Sequence, residues 1–334
     1  MSVDADIPVF ISFLFVIGGL LALAKSADVF VDSASALARR FGISPLIVGM
    51  VVIGFGTSAP ELLVSLVAGI GGHSNISLGN AYGSATFNIG AILGVTSIIW
   101  PVRVKSSVSF VAVPILLLVA ILSWFLLRDG EFGRCGGLCL LLAFAVIMPL
   151  YCWYDQRSGM GRFDSCGNGT ASERRSIWRE LSLLVAGLSV LVLSSHLMVW
   201  GCVDFARDVL HVSDLMIGLT VVAAGTSLPE LASAIASAKK GEGELVVGNI
   251  VGSNLFNALV VVGLAGTLSP FDGFSRHVVG RDIPVMVAMT LSIAVFGINY
   301  RHPRNSGVIS RIKGVTWVFA FIAYMALMLM QEAA

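Results

Sequence analysis

Charge is scarce in this chain. Asp, Glu, Lys and Arg together make up 12% of its 334 residues, about half the share usual in a water-soluble domain. The formal net charge is +1, so no basic excess is present to neutralise phosphates, and nucleic acid is excluded as a partner. The five cysteines, at 135, 139, 152, 166 and 202, have neither metal-ligand nor disulfide spacing. Cys135 and Cys139 lie in or beside an apolar run and read as small apolar residues. The opening MSVDADIPVF carries acids where a cleaved leader needs a basic stretch, so the first apolar run is expected to be a retained helix. Neither a phosphate-binding P-loop nor an Asp in a phosphorylation context occurs, which removes nucleotide hydrolysis as an energy source.

Apolar residues are abundant instead, at 56%, with a mean hydropathy of +0.90. A bilayer core of about 30 Å takes roughly 20 apolar residues per helix. Ten segments meet that measure: approximately 8–33, 44–70, 77–99, 108–127, 136–154, 180–200, 214–238, 245–268, 283–299 and 310–330. The ninth is the shortest. The one long polar stretch, 155–178, is rich in Gly and Ser and reads as a flexible linker between two five-helix halves, 1–154 and 179–334.

Basic residues give an orientation. All but five of the 21 Lys and Arg fall in loops after the odd-numbered helices; the exceptions are Arg128, Arg134, Arg207, Arg276 and Arg281. By the positive-inside rule the linker is cytoplasmic and both termini are outside.

The halves repeat each other. IGFGTSAPELL at 53–63 matches VAAGTSLPELA at 222–232, and LGNAYGSATFN at 78–88 matches VGNIVGSNLFN at 247–257. The pairs Thr57/Thr226, Glu61/Glu230, Ser84/Ser253 and Asn88/Asn257 are all 169 residues apart. The paired regions are about 44–99 and 214–268. Shared apolar residues follow from membrane composition, but two polar motifs at one constant spacing do not. Because each half holds an odd number of spans, the second begins on the opposite side of the bilayer. The expected fold is therefore an all-α integral membrane protein of ten transmembrane helices, built as two inverted five-helix repeats. Secondary transporters have that architecture, with the substrate site near the midplane on interrupted helices.

Glu61 and Glu230 are the only acids deep inside long apolar segments; Asp28, Asp32, Asp129, Asp204 and Asp282 fall near segment ends or in loops. An ionised carboxylate in lipid costs several kcal/mol and requires a partner or a water-filled cavity. No intramembrane Lys or Arg is available, so a cation is the missing partner. Thr57 lies four residues before Glu61 and Ser58 three, on adjoining strips of one helix face. Pro60 donates no backbone hydrogen bond and displaces the carbonyl of Gly56, and Pro229 does the same at Gly225, which is expected to free carbonyls for coordination. Ser84 with Asn88, and Ser253 with Asn257, again sit four apart. Every candidate ligand is a hard oxygen, which suits calcium, sodium or magnesium and argues against zinc or copper. Two carboxylates neutralise one calcium, and many flexible oxygens suit its irregular coordination. The glycines at 49, 79, 83 and 94 read as packing positions.

The doubled Gly-Thr-Ser-x-Pro-Glu and Gly-Asn-x-x-Gly-Ser resembles the alpha repeats of the calcium/cation antiporter superfamily, and within it the prokaryotic sodium/calcium exchangers. The stretch at 28–44, DVFVDSASALARRFGIS, is similar to that family's connection between its first two helices. The resemblance implies a central calcium site of Glu61 and Glu230 with Thr57 and Thr226. It implies flanking sodium sites of Ser58, Ser84, Ser227 and Ser253 with the carbonyls of Gly54 and Ala223, and places Asn88 and Asn257 in the middle of the cluster. It further implies alternating access, with helices 1 and 6 as a sliding pair, calcium and sodium competing for shared carboxylates, no cofactor, and no obligatory protein partner. Its localisation would be a multi-pass cell membrane, the inner membrane of a prokaryote. A three-to-one exchange of the family's kind would be electrogenic. Calcium/proton exchangers carry Glu shortly after Gly-Asn, where this chain has Tyr82 and Gly83, or Val251 and Gly252, and so fit less well. At the position of Asn257 the potassium-dependent branch carries Asp, which argues against potassium coupling here. A cation channel needs no inverted, Pro-interrupted repeats, and an intramembrane metal enzyme lacks a His ligand or a general base.

Overall fold

Lipid gives a peptide group no hydrogen-bond partner, so an apolar segment that enters it must satisfy its backbone internally, as a helix. The computed structural model describes residues 9–158, 176–208, 223–271, 273–299, 302 and 306–332. In chain order the helices are α1 (Val9–Phe41), α2 (Pro45–Thr57), α3 (Ala59–Ile70), α4 (Ser74–Ile99), α5 (Val108–Leu127), α6 (Arg134–Ser158), α7 (Ile177–Asp208), α8 (Ala223–Thr226), α9 (Leu228–Lys239), α10 (Gly243–Leu268), α11 (Val278–Gly297) and α12 (Arg311–Glu332). Among the described residues, 8 of these are long and apolar enough to cross a membrane, or 9 if the bent pair α2–α3 is one span. The segment expected at 214–238 is described only from Ala223, and most of the linker, Cys166 included, lies outside the described residues.

The boundaries follow local chemistry. Ser44 caps α2 by accepting from the Ile47 N–H at 3.2 Å, with Pro45 in the first turn, where its missing N–H costs nothing. Between α2 and α3 the chain bends by 46°. Ser58 leaves the helical region there (φ −82°, ψ 8°), and Pro60 cannot restore the ladder. Ser227 does the same (φ −92°, ψ 8°) before Pro229. The following turns also match, since Gly72 (φ +79°) and Gly241 (φ +75°) stand 169 residues apart in the left-handed region that glycine enters without steric cost.

α10 is the axis of the molecule, buried over nearly its whole length, whereas α6 and α12 lie at the periphery. Small residues let α2 approach it. A Cβ at Gly49 would lie 2.7 Å from the Leu245 carbonyl, and one at Gly248 would lie 2.5 Å from the Leu46 carbonyl. A large apolar core of α2, α4, α5, α10 and α11 includes Met50, Tyr82, Ile89, Leu116, Ile250 and Phe256. A smaller one joins α1 to α7 through Phe30, Val31 and Leu191. Those two helices approach closely at glycines: Gly19 faces Met198 and the Ser194 carbonyl, and Gly187 faces the backbone of Phe30.

The all-α class holds, with one short addition: Val102–Val104 (β1) pairs antiparallel with Gly307–Ile309 (β2), aligning Val102 with Ile309. Phe132 and Phe271 exchange two further backbone hydrogen bonds, each 3.0 Å. One expectation needs correction: the ninth segment is not the shortest, at 20 residues the same length as α5. α11 starts at Val278, in a wide π-helical turn that takes in Arg281 and Asp282. Their side chains pair at 2.6 Å, and Tyr324 donates to Asp282 at 3.0 Å, so two charges that would mark a segment's end are absorbed within it.

Candidate ion-binding site

The two chain breaks face each other through a pair of reciprocal hydrogen bonds. Glu61 stands in the first turn of α3 and Glu230 in the first turn of α9, each just past a break and close to the partial positive charge of a helix N-terminus. The Ser58 hydroxyl, at one break, donates to Glu230 Oε1 at 3.0 Å. The Ser227 hydroxyl, at the other, donates to Glu61 Oε1 at 3.0 Å. Both carboxylates are buried, at 1% and 0% exposure. Among the described residues the Oε2 atom of each has no hydrogen-bond partner. Neither carboxylate pairs with a described Lys or Arg. A buried carboxylate oxygen without a donor costs several kcal/mol if ionised, so this geometry calls for positive charge between the breaks.

The remaining sequence candidates surround that pair unevenly. Thr57 is fully buried and donates to the Ile53 carbonyl at 3.0 Å. The Gly54 carbonyl is engaged, accepting from the Ser58 N–H at 3.1 Å and the Ser253 hydroxyl at 3.2 Å. Thr226 is buried beside Ser227, and Ser84 lies one turn before Asn88, its carbonyl accepting the Asn88 N–H. Ala223 is the first residue of α8, one turn before Ser227. Asn88 and Asn257 are buried and each opens a π-helical stretch, Asn88–Leu93 and Asn257–Val261. Such wide turns occur often at functional sites. Among the described residues, neither side-chain polar atom of Asn257 has a partner.

The carbonyl released by Pro229 is not free as expected, because the Ser195 hydroxyl of α7 donates to the Gly225 carbonyl at 2.8 Å. A hydroxyl from a distant helix has no signature in local spacing. Three asparagines outside the expected set also belong to the site. Asn80 Nδ2 donates to the Glu61 carbonyl at 3.0 Å and to Ser65 Oγ at 2.9 Å. Asn249 Nδ2 donates to the Glu230 carbonyl at 3.2 Å and to Ser233 Oγ at 3.1 Å. These two are the Asn of the repeated Gly-Asn-x-x-Gly-Ser, so the motif held the signal. They clamp the backbone of each glutamate, while its carboxylate accepts from the serine of the opposite break. The third, Asn254, has Ala85 as its repeat mate and bonds Asn88 directly at 3.0 Å.

The family described as sodium/calcium exchanger protein matches residues 11–153 and 180–330. The putative antiporter CaxA of Alkalimonas amylolytica is 36% identical over 322 residues, covering 94% of this chain and 98% of that protein. The inner membrane protein YrbG of Escherichia coli (strain K12) is 35% identical over 312 residues, covering 93% and 94%. A solved structure of the sodium-calcium exchanger NCX_Mj, soaked without sodium or calcium, superposes with a TM-score of 0.81 at 29% identity, covering 96% of this chain and 99% of that one.

Proposed function

The chain belongs to the sodium/calcium exchanger protein family, and from that premise we propose that it exchanges calcium for sodium across a membrane by alternating access. It acts as a transporter, not an enzyme, and needs no cofactor. The observation that carries the proposal is the buried pair Glu61 and Glu230, held at two facing chain breaks by Ser227 and Ser58. Two carboxylates with one undonated oxygen each neutralise one calcium ion, and two hydroxyl-bearing breaks supply neutral oxygens around it.

In this reading calcium takes Glu61, Glu230, Thr57 and Thr226. Sodium ions take Ser58, Ser84, Ser227 and Ser253 with the carbonyls of Gly54 and Ala223, and Asn88 and Asn257 complete the cluster. Sharing of the carboxylates makes occupancy by the two ions exclusive, which is what couples their fluxes. Three sodium ions exceed the pair's charge by one, so exchange moves net charge. The two halves act as inverted repeats of five helices each, with α1 and α7 as the pair that moves. Their glycine-lined contact favours sliding, since it presents little side chain to interlock. The protein spans the inner membrane many times, with the linker cytoplasmic and both termini outside.

Calcium uptake into proteoliposomes tests the coupling ion. An outward sodium gradient should drive calcium uptake above equilibrium, while proton and potassium gradients of equal size should not. Uptake driven by protons alone would make the protein a calcium/proton exchanger, and calcium flux that never exceeds equilibrium would make it a channel.

A further inference from the structure

Asn254, buried at the centre beside Asn88, has an apolar repeat mate, Ala85. Its Nδ2 donates to the Ala85 carbonyl at 3.1 Å, and its Oδ1 accepts from Asn88 Nδ2 at 3.0 Å. Both side chains are buried, Asn254 at 0% and Asn88 at 1% exposure. A backbone carbonyl can only accept, so the end of Asn254 that faces Ala85 must be its NH₂ group. The other end is then its oxygen, and the end of Asn88 that meets this oxygen must in turn be NH₂. The polarity of one peptide carbonyl thus fixes two side-chain amides in sequence. Asn88 Oδ1 is left pointing the other way, buried and without a hydrogen-bond partner among the described residues. Asn257, the mate of Asn88, has no such clamp from the Ala85 side.

We propose that Asn254 is a positioning residue that locks the Asn88 amide with its oxygen toward the ion cluster, and that no equivalent lock acts on Asn257. The inference rests on the exchanger reading only in taking that cluster as the cation site. An unlocked amide presents its NH₂ to the site in one of its two flipped states and repels a cation there. A locked one offers an oxygen permanently and needs no reorganisation when the ion arrives. The repeats are therefore unequal at their centre: one asparagine is a fixed oxygen ligand, while the other can turn with the occupant.

Equilibrium binding of calcium-45 to purified wild type, Asn254→Ala, Asn88→Ala and the double variant tests this. Asn254→Ala should weaken calcium binding about tenfold, the scale of one lost hydrogen bond in a buried site. In the Asn88→Ala background the same change should have no further effect, because Asn254 acts only through Asn88. Thermal unfolding without ions should shift less for Asn254→Ala in the Asn88→Ala background, where the hydrogen bond between the two amides is already lost, while the bond to the Ala85 carbonyl still counts. The proposal is overturned if Asn254→Ala binds calcium within twofold of wild type, or if the two substitutions weaken binding additively. Binding requires no coupling ion, so it reads this relay even where sodium-driven uptake by the same preparation fails.

Discussion

At the scale of single residues, the proposed function turns on charge that has no counterpart among the described residues. Glu61→Gln or Glu230→Gln keeps an acceptor for Ser227 or Ser58 but removes a negative charge, so each should abolish calcium transport. Because Gln fits the same space, melting temperature should stay within a few degrees of wild type, and transport at the wild-type rate in either variant would misplace the site. Ser58→Ala and Ser227→Ala each remove one hydrogen bond to a charged group, a loss of about 1.5–3 kcal/mol. Calcium half-saturation should rise tenfold or more in both, and unequal effects would show that the two halves do not share the load. At 257 an amide gives an oxygen without charge, so sodium-driven uptake should persist when choline replaces potassium at clamped potential. The repeat made the glutamates and their serines legible, since acids at matching places in two apolar segments with no basic partner call for a cation. Asn80 and Asn249 stand in the same motif but bind the glutamates' own carbonyls, a role that ligand spacing does not encode. Asn254 breaks the repeat, standing against Ala85, so pairing of positions could not find it. Ser195 has a serine mate, Ser26, but that hydroxyl bonds the Ala22 and Leu23 carbonyls of its own helix, so the pairing does not reveal the contact with Gly225.

Whole elements carry a different kind of information. Apolar length gave the positions of the helices, and the bend at Ser58 follows from Pro60. Pro60→Ala would return the N–H that the Gly56 carbonyl lacks and favour a continuous helix, so it should cut transport sharply without lowering the melting temperature. Apolar length failed where tertiary pairing decides. The wide turn that starts α11 keeps Arg281 and Asp282 inside because they neutralise each other, and β1 and β2 form from segments too short to carry a period-two signal. Nor does composition show how α1 is tied at one end. Lys240, in the turn between α9 and α10, donates to the Asp28 carbonyl at 2.9 Å and pairs with Asp32 at 2.9 Å. Beside it Glu242 accepts from Ser35 at 2.6 Å and faces Arg39 at 3.5 Å. Burial raises the Glu242 carboxyl above its ordinary value, against the opposing pull of Ser35, Arg39 and Lys240. With the folded value raised, the carboxyl's contribution to stability is fully present below the ordinary range and is lost as pH rises through the raised value. Thermal melts should therefore show wild type gaining on Glu242→Gln as pH falls toward that range, and a wild-type advantage that grows with rising pH would contradict this.

Over the whole molecule, the symmetry seen in the motifs extends to contacts that the motifs do not contain. The pairing of Val102 with Ile309 has a counterpart in Phe271 with Phe132, since position 271 stands 169 residues after 102 and positions 309 and 132 both lie two residues before a helix. Each pairing ties one half to the other, which suits two bodies that pivot about a shared centre. The proposed orientation, with the linker cytoplasmic, rests on the bias of the basic residues. In a variant that keeps Cys166 as its only cysteine, an impermeant thiol reagent added outside intact cells should leave the linker unlabelled, and labelling without lysis would invert the topology. The central claim is that one buried carboxylate pair serves both ions in turn, and the most direct test is calcium-45 binding to purified protein titrated with sodium. Shared carboxylates predict complete, competitive displacement that rises more steeply than one sodium per calcium, and no calcium binding in Glu61→Gln. Calcium that stays bound in saturating sodium, or that binds the Glu61→Gln protein as tightly as wild type, would contradict it.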